Sequence, residues 1–340
     1  MKNKINIKIV IPTIFLIIIS TYYSCQSPSG PDLTPGRRDY TWTVDTIHTQ
    51  DNYFARLYSM WGSSPNDVWI AGPSYSYVND AWHYDGTSWK PKPLASAGNI
   101  TTIFGFAPNN VWAGCTNGDI FNFNGSEWKK NTTIIVDSLG SLLIENLWGN
   151  KPNDIYCVGY AGDTGGNYKG IIYHYDGVKW SNFQIDNIKT ILLQIVKSSS
   201  NEIVLIGLAI HEQIDTYRFY TLEGESVKEI VRAGANNNLT LINDQIYITI
   251  GQKIYKYKKS LELWHDFTGT NYVGRLWGRT ESDFFTVNND GIGHYNGSDL
   301  ITIYKSNNLY YENAVLFNSD VFFVRFSTDN INLIIHGKLN

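Results

Sequence analysis

The stretch from Leu147 to Trp180, which begins LWGNKPNDIYCVG and ends IYHYDGVKW, has recognisable copies elsewhere in the chain. The clearest copies cover residues 60–89, 103–128 and 276–300. Their anchor aromatics lie 43, 44 and 129 residues apart, at Trp61, Phe104, Trp148 and Trp277. Because 129 is three times 43, two further copies are expected between the last two anchors.

Three weaker copies complete the series. Residues 195–207 align with 147–159 without a gap, residues 241–251 align with a shorter turn, and residues 316–326 follow the last clear copy. Seven copies of roughly 43 residues match the repeat length of β-propellers. The fold class predicted from this period is all-β, a seven-bladed β-propeller with four-stranded blades.

Each copy contains four short apolar segments, here called strands a to d. A polar turn joins a to b, and an Asp-Gly or Asn-Gly pair between c and d is expected to supply the positive φ angles of a tight hairpin. The seventh copy ends at strand c, near residues 331–337. Residues 40–47 resemble a strand d, so we expect this N-terminal strand to close the last blade and protect its edge.

The motif series WG, D-V-W-x-x-G and Y-D-G-x-x-W resembles bacterial propellers related to Asp-box and photosystem-assembly-factor repeats. The resemblance covers nearly all of residues 40–340, and it implies an architecture rather than an activity. The Asp-Gly pairs lack the upstream Ser and the spacer residue of the Asp-box. The arginine cluster expected of a sialidase is also missing.

The first 24 residues are typical of an export signal, with three lysines followed by the apolar run 9–20. Ser24-Cys25 resembles the lipobox of bacterial lipoproteins, although Tyr22 stands where that family has Leu. The resemblance implies a signal peptide over 1–24, acylation of Cys25, a membrane anchor and, with Gln26 next, the outer membrane of a Gram-negative bacterium. An ordinary secreted protein with a free Cys25 is the alternative.

Residues 25–39 are rich in Pro, Ser and Gly and predict a flexible tether before the propeller at 40–340. Hydrophobic residues make up 43% of the chain and charged residues 17%, with a net charge of −4. Such a composition excludes disorder and disfavours nucleic-acid binding. Export would permit a disulfide, but Cys115 and Cys157 fall in neighbouring copies at non-equivalent positions, so we expect two buried thiols.

No catalytic motif, metal site or cofactor site emerges from the sequence. The repeated aromatics could stack on sugars, but packing between blades is the favoured interpretation. The acidic residues before strand b, such as Asp67 and Asp154, are expected to cap the a–b turn. His83, His174 and His294 occupy equivalent places and are expected to be structural.

The b–c loops differ most between copies, in residues 72–80, 159–170 and 207–216. Functional residues are often carried on such loops, although neutral drift is an open alternative. A calcium site in 163–167 has too few carboxylates to be favoured. The predicted binding face consists of Tyr75, Tyr77, Asp80, Tyr160, Asp163, Tyr168, Lys169, His211 and Glu212.

Three functions are compatible with these observations. The first is a non-catalytic, monomeric lipoprotein that binds or scaffolds a protein or glycan partner in the cell envelope. The second is a carbohydrate-active hydrolase or lyase, which would require two carboxylates, or a carboxylate with Tyr and His, at the mouth of the central channel. The third is an envelope assembly factor.

Overall fold

Seven antiparallel sheets of four strands make up the computed structural model. The structure describes residues 34–47, 54–75, 80–94, 96, 98–136, 141–162, 168–183, 185, 188–210, 216–306, 311–326 and 331–340. The strands in chain order are β1 (Tyr40–Ile47), β2 (Ser59–Ser64), β3 (Asp67–Ala71), β4 (Ala81–Tyr84), β5 (Trp89–Pro91), β6 (Ile100–Ala107), β7 (Asn110–Cys115), β8 (Asp119–Phe123), β9 (Trp128–Thr133), β10 (Ser141–Lys151), β11 (Asp154–Gly162), β12 (Tyr168–Tyr175), β13 (Trp180–Asn182), β14 (Ile191–Lys197), β15 (Ile203–Ala209), β16 (Thr216–Glu223), β17 (Ser226–Ala233), β18 (Asn237–Ile242), β19 (Gln245–Ile250), β20 (Lys253–Tyr257), β21 (Leu261–Asp266), β22 (Tyr272–Thr280), β23 (Asp283–Asn288), β24 (Gly291–Tyr295), β25 (Leu300–Lys305), β26 (Tyr311–Leu316), β27 (Asp320–Phe326) and β28 (Asn332–Leu339).

The sheets form a closed ring. Blades 1 to 6 are β2–β5, β6–β9, β10–β13, β14–β17, β18–β21 and β22–β25. The first strand of each blade contacts the first strand of the next, and β26 of blade 7 contacts β2 of blade 1. The predicted seven-bladed propeller is therefore confirmed. The part of the chain that the structure describes contains no helix long and apolar enough to cross a lipid bilayer.

Blade 7 is completed by the N-terminal strand, as predicted. The order of its sheet is β1-β28-β27-β26. All eight residues of β1 pair with β28, from Tyr40 with Leu339 to Ile47 with Asn332. An edge that would otherwise be open is thereby covered.

Arg37 and Arg38 add a second tie just before this strand. The guanidinium of Arg38 donates to the carboxylate of Asp299 at 2.7 Å and to the backbone carbonyl of His294 at 2.8 Å. Arg37 donates to the carbonyl of Asn340 at 2.8 Å. The last residues of the expected tether are therefore held on blades 6 and 7.

Glycine in the WG motif provides space for the preceding blade. A Cβ atom on Gly105 would lie 2.9 Å from the ring of Trp61, and one on Gly149 would lie 3.1 Å from the ring of Phe106. The first distance is shorter than real Cβ atoms show and the second is tighter than most, so in both places a larger residue would require the neighbouring aromatic to shift. The repeat therefore encodes contact between blades as well as the strands themselves.

The c–d turns differ from the sequence expectation in one detail. Gly86, Gly125 and Gly177 have φ angles between 91° and 98°, whereas the Asp or Asn before each of them is not among the residues with positive φ. The Asx side chain instead accepts backbone N–H groups two and three residues later, as Asp176 Oδ1 does from Val178 at 2.8 Å and Lys179 at 2.9 Å. These hairpins are four-residue Asx turns.

The acidic residue that opens strand b contacts a histidine on strand c. Four such pairs are present in the described blades, with Oδ1 to Nε2 distances of 2.7 to 2.9 Å: Asp67–His83, Asp154–His174, Asp283–His294 and Asp320–His336. These carboxylates therefore bond to histidine across the blade, which differs from the turn capping expected from the sequence.

The four histidines pack inside the blades, where each bonds to a carboxylate and lies against an aromatic ring. Each ring lies beside the aromatic residue of strand b, with centroids 4.0 to 4.5 Å apart. Blade 2 makes the same link with amides, because Asn122 Nδ2 donates to Asn110 Oδ1 at 3.0 Å. Trp69 and Trp112 are buried, as expected for packing aromatics.

Candidate functional site

A cavity of about 700 Å³ lies in the central channel of the ring. All seven blades contribute to its lining, which we call the channel pocket. The lining includes residues on or just before the first strand of each blade: Tyr58, Ser59, Thr101, Thr102, Glu145, Asn146, Leu193, Gln194, Asn237, Asn238, Arg275, Glu312 and Asn313.

The channel pocket reaches the end of the ring that carries the b–c loops, because Tyr58 before β2, Asn236 before β18 and Tyr217 near the start of β16 line it. In blade 3, Ser141 at the start of β10 pairs with Gly162 at the end of β11, next to the b–c loop. Lys151 at the other end of β10 pairs with Asp154 beside the a–b turn. Glu145 lies nearer the b–c end of β10, and we call this end of the channel pocket, on the face of the variable loops, the pocket mouth.

β-Bulges bring four side chains to this pocket. The extra residue of the first strand is Thr101 in blade 2, Glu145 in blade 3, Leu193 in blade 4 and Glu312 in blade 7. A bulge interrupts the alternation of a strand and redirects a side chain, and bulges are frequent near functional sites. Each of the four residues lines the channel pocket.

Two carboxyl groups and a phenol lie in the pocket. Burial raises the pKa of Glu145 to about 7. Glu312 forms an ion pair with Arg56. Burial, followed by the negative charge of Glu145, raises the pKa of Tyr58, and Glu312 acts in the same direction. The Tyr58 hydroxyl is therefore electrostatically coupled to both carboxyl groups.

A second layer of polar side chains links neighbouring blades around the channel. Ser59 Oγ accepts the backbone N–H of Ile103 at 2.9 Å, and Asn238 Oδ1 accepts that of Leu276 at 3.1 Å. Thr102 and Asn146 likewise accept a backbone N–H of the next blade, both at 3.3 Å, whereas Gln194 Nε2 donates to a backbone carbonyl of the next blade at 2.8 Å. We call these five residues the bridging ring.

Arg275 occupies the equivalent position in blade 6 but makes no such bond. It stands two residues before the anchor Trp277, as Ser59 stands before Trp61, and its φ is 65°. Its backbone carbonyl accepts Thr286 Oγ1 at 2.9 Å. Arg275 is one of the residues that line the channel pocket, and it forms no ion pair with a residue that the structure describes. Strained backbone of this kind is common at binding sites.

Aromatic pairs stand on the same face as the pocket mouth. Phe54 lies against Tyr75 and Phe326, with ring centroids 5.4 and 5.8 Å apart. Across the face, Tyr160 and Tyr168 form an edge-to-face pair at 5.5 Å. The negative charge of Glu145 contributes to the raised pKa of Tyr160, after burial, so this pair lies near the pocket carboxyl group.

The structure brings together only part of the predicted binding face. Tyr75 is 76% exposed, and Tyr160 and Tyr168 are half-buried. Lys169 lines a separate cavity of about 240 Å³ with residues of β12 and β13. The remaining predicted residues, Tyr77, Asp163, His211 and Glu212, lie outside the described residues, as does the considered calcium segment 163–167.

Asp80 does not belong to an exposed face. It is fully buried, and burial raises its pKa to about 7. Its backbone carbonyl accepts the N–H of Gly72 at 3.0 Å, which ties the end of the b–c loop to strand b. The prediction that Asp80 contributes to a binding surface is therefore corrected.

The two propeller cysteines are buried and unpaired, as predicted. Burial raises the pKa of Cys115 to about 12 and also raises that of Cys157, so both thiols are protonated at neutral pH. Cys25 lies outside the described residues. Within the described ranges, no cluster of three or more His, Cys, Asp or Glu side chains could hold a metal ion.

No family model and no curated protein matches the chain. Virginiamycin B lyase from Staphylococcus aureus has 15% identity and a TM-score of 0.62 over 88% of this chain and 100% of that one. YCF48 bound to a D1 peptide has 17% identity and a TM-score of 0.61 over 90% and 98% of the two chains. The extracellular domain of a putative hybrid two-component system from B. thetaiotaomicron has 10% identity and a TM-score of 0.56 over 87% and 43%.

These likenesses show the fold class, a β-propeller. The YCF48 match is consistent with the distant similarity to photosystem-assembly-factor-like propellers expected from the repeats. At such low identity, neither an activity nor a ligand follows from them.

The channel pocket is not predictable from the repeat pattern. Bulged residues such as Glu145 and Glu312 give no signal in a repeat alignment, because their direction depends on an extra residue in one strand. Arg275 could have been found. The residue two places before each clear anchor is Ser59, Thr102, Asn146 or Arg275, and only the last is charged.

Proposed function

We propose that this protein is a non-catalytic, monomeric lipoprotein that binds a protein or glycan partner at the b–c face of its propeller. Export through residues 1–24 and acylation of Cys25 would place it on the envelope of a Gram-negative bacterium, at the outer membrane. Residues 25–36 would form the tether. A neighbour described as an extracellular domain supports an exported location.

The observation that carries this proposal is the coincidence of three features on one face. The b–c loops vary between blades, Tyr75 and the Tyr160–Tyr168 pair stand on this face, and the channel pocket reaches it. Tyrosine provides a large amphipathic contact area at low entropic cost. The YCF48 neighbour bound to a D1 peptide supports the protein-partner form of the proposal, because it is a propeller of similar fold that holds a peptide.

The test compares the two faces of the ring. Tyr75→Ala, Tyr160→Ala and Tyr168→Ala are combined in one variant, and crosslinking with mass spectrometry is performed on the intact cell envelope. We expect the partner crosslinks to disappear while the melting temperature changes little. The control is Val178→Ala, because Val178 is 87% exposed in a c–d turn on the opposite face. Loss of crosslinks in the control alone would contradict the proposal.

A carbohydrate-active enzyme is the second candidate, and the pocket carboxyl groups favour it. Glycoside cleavage uses two carboxyl groups, one of which has a raised pKa. Glu145 and Glu312 line one cavity, and the pKa of Glu145 is raised to about 7. Turnover of envelope polysaccharides that is abolished by Glu145→Gln and by Glu312→Gln would establish this function. Retained binding without turnover would support the binding module.

A further inference from the structure

Arg275 has lost the role that its position has in other blades. Ser59, Thr102, Asn146, Gln194 and Asn238 each hold the next blade through a side-chain hydrogen bond. Arg275 makes no such bond to the described residues of blade 7. The first-strand residue Asn313 of blade 7 instead bonds its own neighbour, Ala314 N, at 2.8 Å. A long cationic side chain has thus replaced a short bridging one.

The backbone at Arg275 supports a selected role. A φ of 65° is uncommon for a residue with a long side chain, and neither Ser59 nor Thr102 nor Asn146 has a positive φ. Strain of this kind persists where the surroundings hold it in place, and it concentrates at binding sites. The guanidinium presents up to five N–H donors and no acceptor. Within a polar cavity, its natural partner is an anion with planar oxygen pairs.

Two further groups in the pocket complement this cation. Asn237 Oδ1 is buried and accepts no hydrogen bond from the residues that the structure describes, although its Nδ2 donates to the carbonyl of Gly234. Glu145 has no ion-pair partner among the described residues, and burial raises its pKa. A buried acceptor without a protein donor is available to a ligand hydroxyl or N–H group. A carboxyl group that titrates near neutrality can donate or accept.

We propose that the channel pocket binds the acidic end residue of a glycan, with Arg275 on the sugar carboxylate and with Asn237 and Glu145 on its hydroxyl groups. This inference rests on the proposed function and specifies the partner of the same face. A cavity of about 700 Å³ is in the range of sites for small ligands. The Arg56–Glu312 ion pair neutralises the second carboxylate, so it does not repel an anion.

A sugar fits this pocket better than a peptide terminus. Peptides are commonly held through backbone pairing with a strand edge. Here the backbone N–H groups of Ile103, Leu147 and Ile195 are occupied by the bridging ring. The remaining functional groups of the pocket are side-chain amides, hydroxyls and carboxyls, which suit the many hydroxyl groups of a sugar. The Tyr160–Tyr168 pair at the rim could cover the next sugar residue.

The test measures binding of uronic-acid trisaccharides to the full chain in detergent. Galacturonate, glucuronate and mannuronate trisaccharides are each compared with their methyl esters by calorimetry. We expect at least one acid to bind at least tenfold more tightly than its ester. Arg275→Asn should abolish that preference, because Asn tolerates positive φ and lacks the charge. Arg275→Lys should retain part of it. Arg232→Gln, on the exposed outer strand β17, is the control.

Three results would overturn the inference. They are the absence of binding by every acid, equal binding of acid and ester, and an unchanged preference in Arg275→Asn with a wild-type melting temperature. A peptide with a free C-terminus that binds in an Arg275-dependent manner, in place of the sugars, would also overturn it. If the wild-type protein forms envelope crosslinks but binds no uronate, the proposed binding face stands. Only the proposal that its ligand is an acidic sugar is then refuted.

Discussion

His294 Nε2 lies 2.9 Å from Asp283 Oδ1, and the histidine side chain has no exposed surface. Its Nδ1 lies 3.3 Å from Arg38 Nε, which donates to it, so the neutral ring accepts on one side and donates to the carboxylate on the other. We expect His294→Ala to lower the free energy of unfolding by about 2–4 kcal/mol, because it leaves a cavity and a buried carboxylate without this partner. Denaturant unfolding followed by tryptophan fluorescence measures this. His174→Ala, at a pair whose histidine is 30% exposed, should cost less.

The same pair predicts a loss of stability in acid. Burial lowers the pKa of His294 below its usual 6.5. As the pH falls below about 6.5, this histidine is protonated in the unfolded chain but stays neutral in the folded chain. The free energy of unfolding therefore declines in this range. The pKa of Asp283 is also lowered, because the bond from His294 and the charge of Arg279 outweigh burial. Its contribution is lost at lower pH, beneath about 4. His294→Gln should flatten the upper part of the profile, and an unchanged slope would contradict the assignment.

Glu145 predicts the opposite pH dependence. Its pKa is raised from 4.5 to about 7, so between these values the folded chain binds more protons than the unfolded chain. Stability contributed by the protonated group is therefore lost as the pH rises through this window. Glu145→Gln should be more stable than wild type at pH 8, by at most about 3 kcal/mol, and similar to it at pH 4. Thermal melts at both pH values measure the difference. Glu225→Gln, in the exposed turn before β17, should show neither effect.

Closure of the ring depends on β1. Deletion of residues 40–47 removes the partner of β28 and exposes its edge, so we expect a large drop in melting temperature and a tendency to associate. Deletion of residues 26–33 keeps Arg37 and Arg38 in place and should leave the melting temperature near that of wild type. Equal stability of the two deletions would show that the pairing of Tyr40 with Leu339 is dispensable.

Two turn glycines separate backbone strain from crowding. Gly86 has a φ of 91°, and a Cβ there would lie 2.7 Å from Asn66 Oδ1. Gly224 has a φ of 62° with no atom within 4 Å of its Cβ position. We expect Gly224→Ala to cost about 1 kcal/mol from the left-handed conformation alone, and Gly86→Ala to cost more. Chemical denaturation of both variants tests the order, and the reverse order would mean that the turn at Gly86 relaxes freely.

The sequence repeat made the fold predictable, whereas most residues of the candidate site were not predictable from the sequence. Seven copies and a missing last strand d were sufficient to predict the blade count and the role of residues 40–47. Those features follow from period and alternation, which reside in the sequence itself. Loop length singled out the b–c loops, and Tyr75 and the Tyr160–Tyr168 pair lie on that side of the ring. That this face binds a partner stays a prediction.

The errors came from properties that depend on neighbouring elements. Asp80 follows a tyrosine-rich loop and looks exposed in sequence, yet its side chain is buried. Asp67 looks like a turn cap, yet it bonds to His83, sixteen residues away on the next strand. Glu145 enters the channel only because β10 bulges there. Such directions are decided by strand register and bulges, which local sequence does not specify.

The pairing of Tyr40 with Leu339 also has a kinetic consequence. The first strand of the ring to be synthesised pairs with the last, so β1 has no partner until β28 has been made. Contacts between distant parts of a chain carry a large loop-closure cost and slow folding. Blades 1 to 6 consist of consecutive strands and can form in order as the chain appears. Completion of blade 7 is therefore the natural final step in closing the ring, and it can occur only after all the other blades have been synthesised.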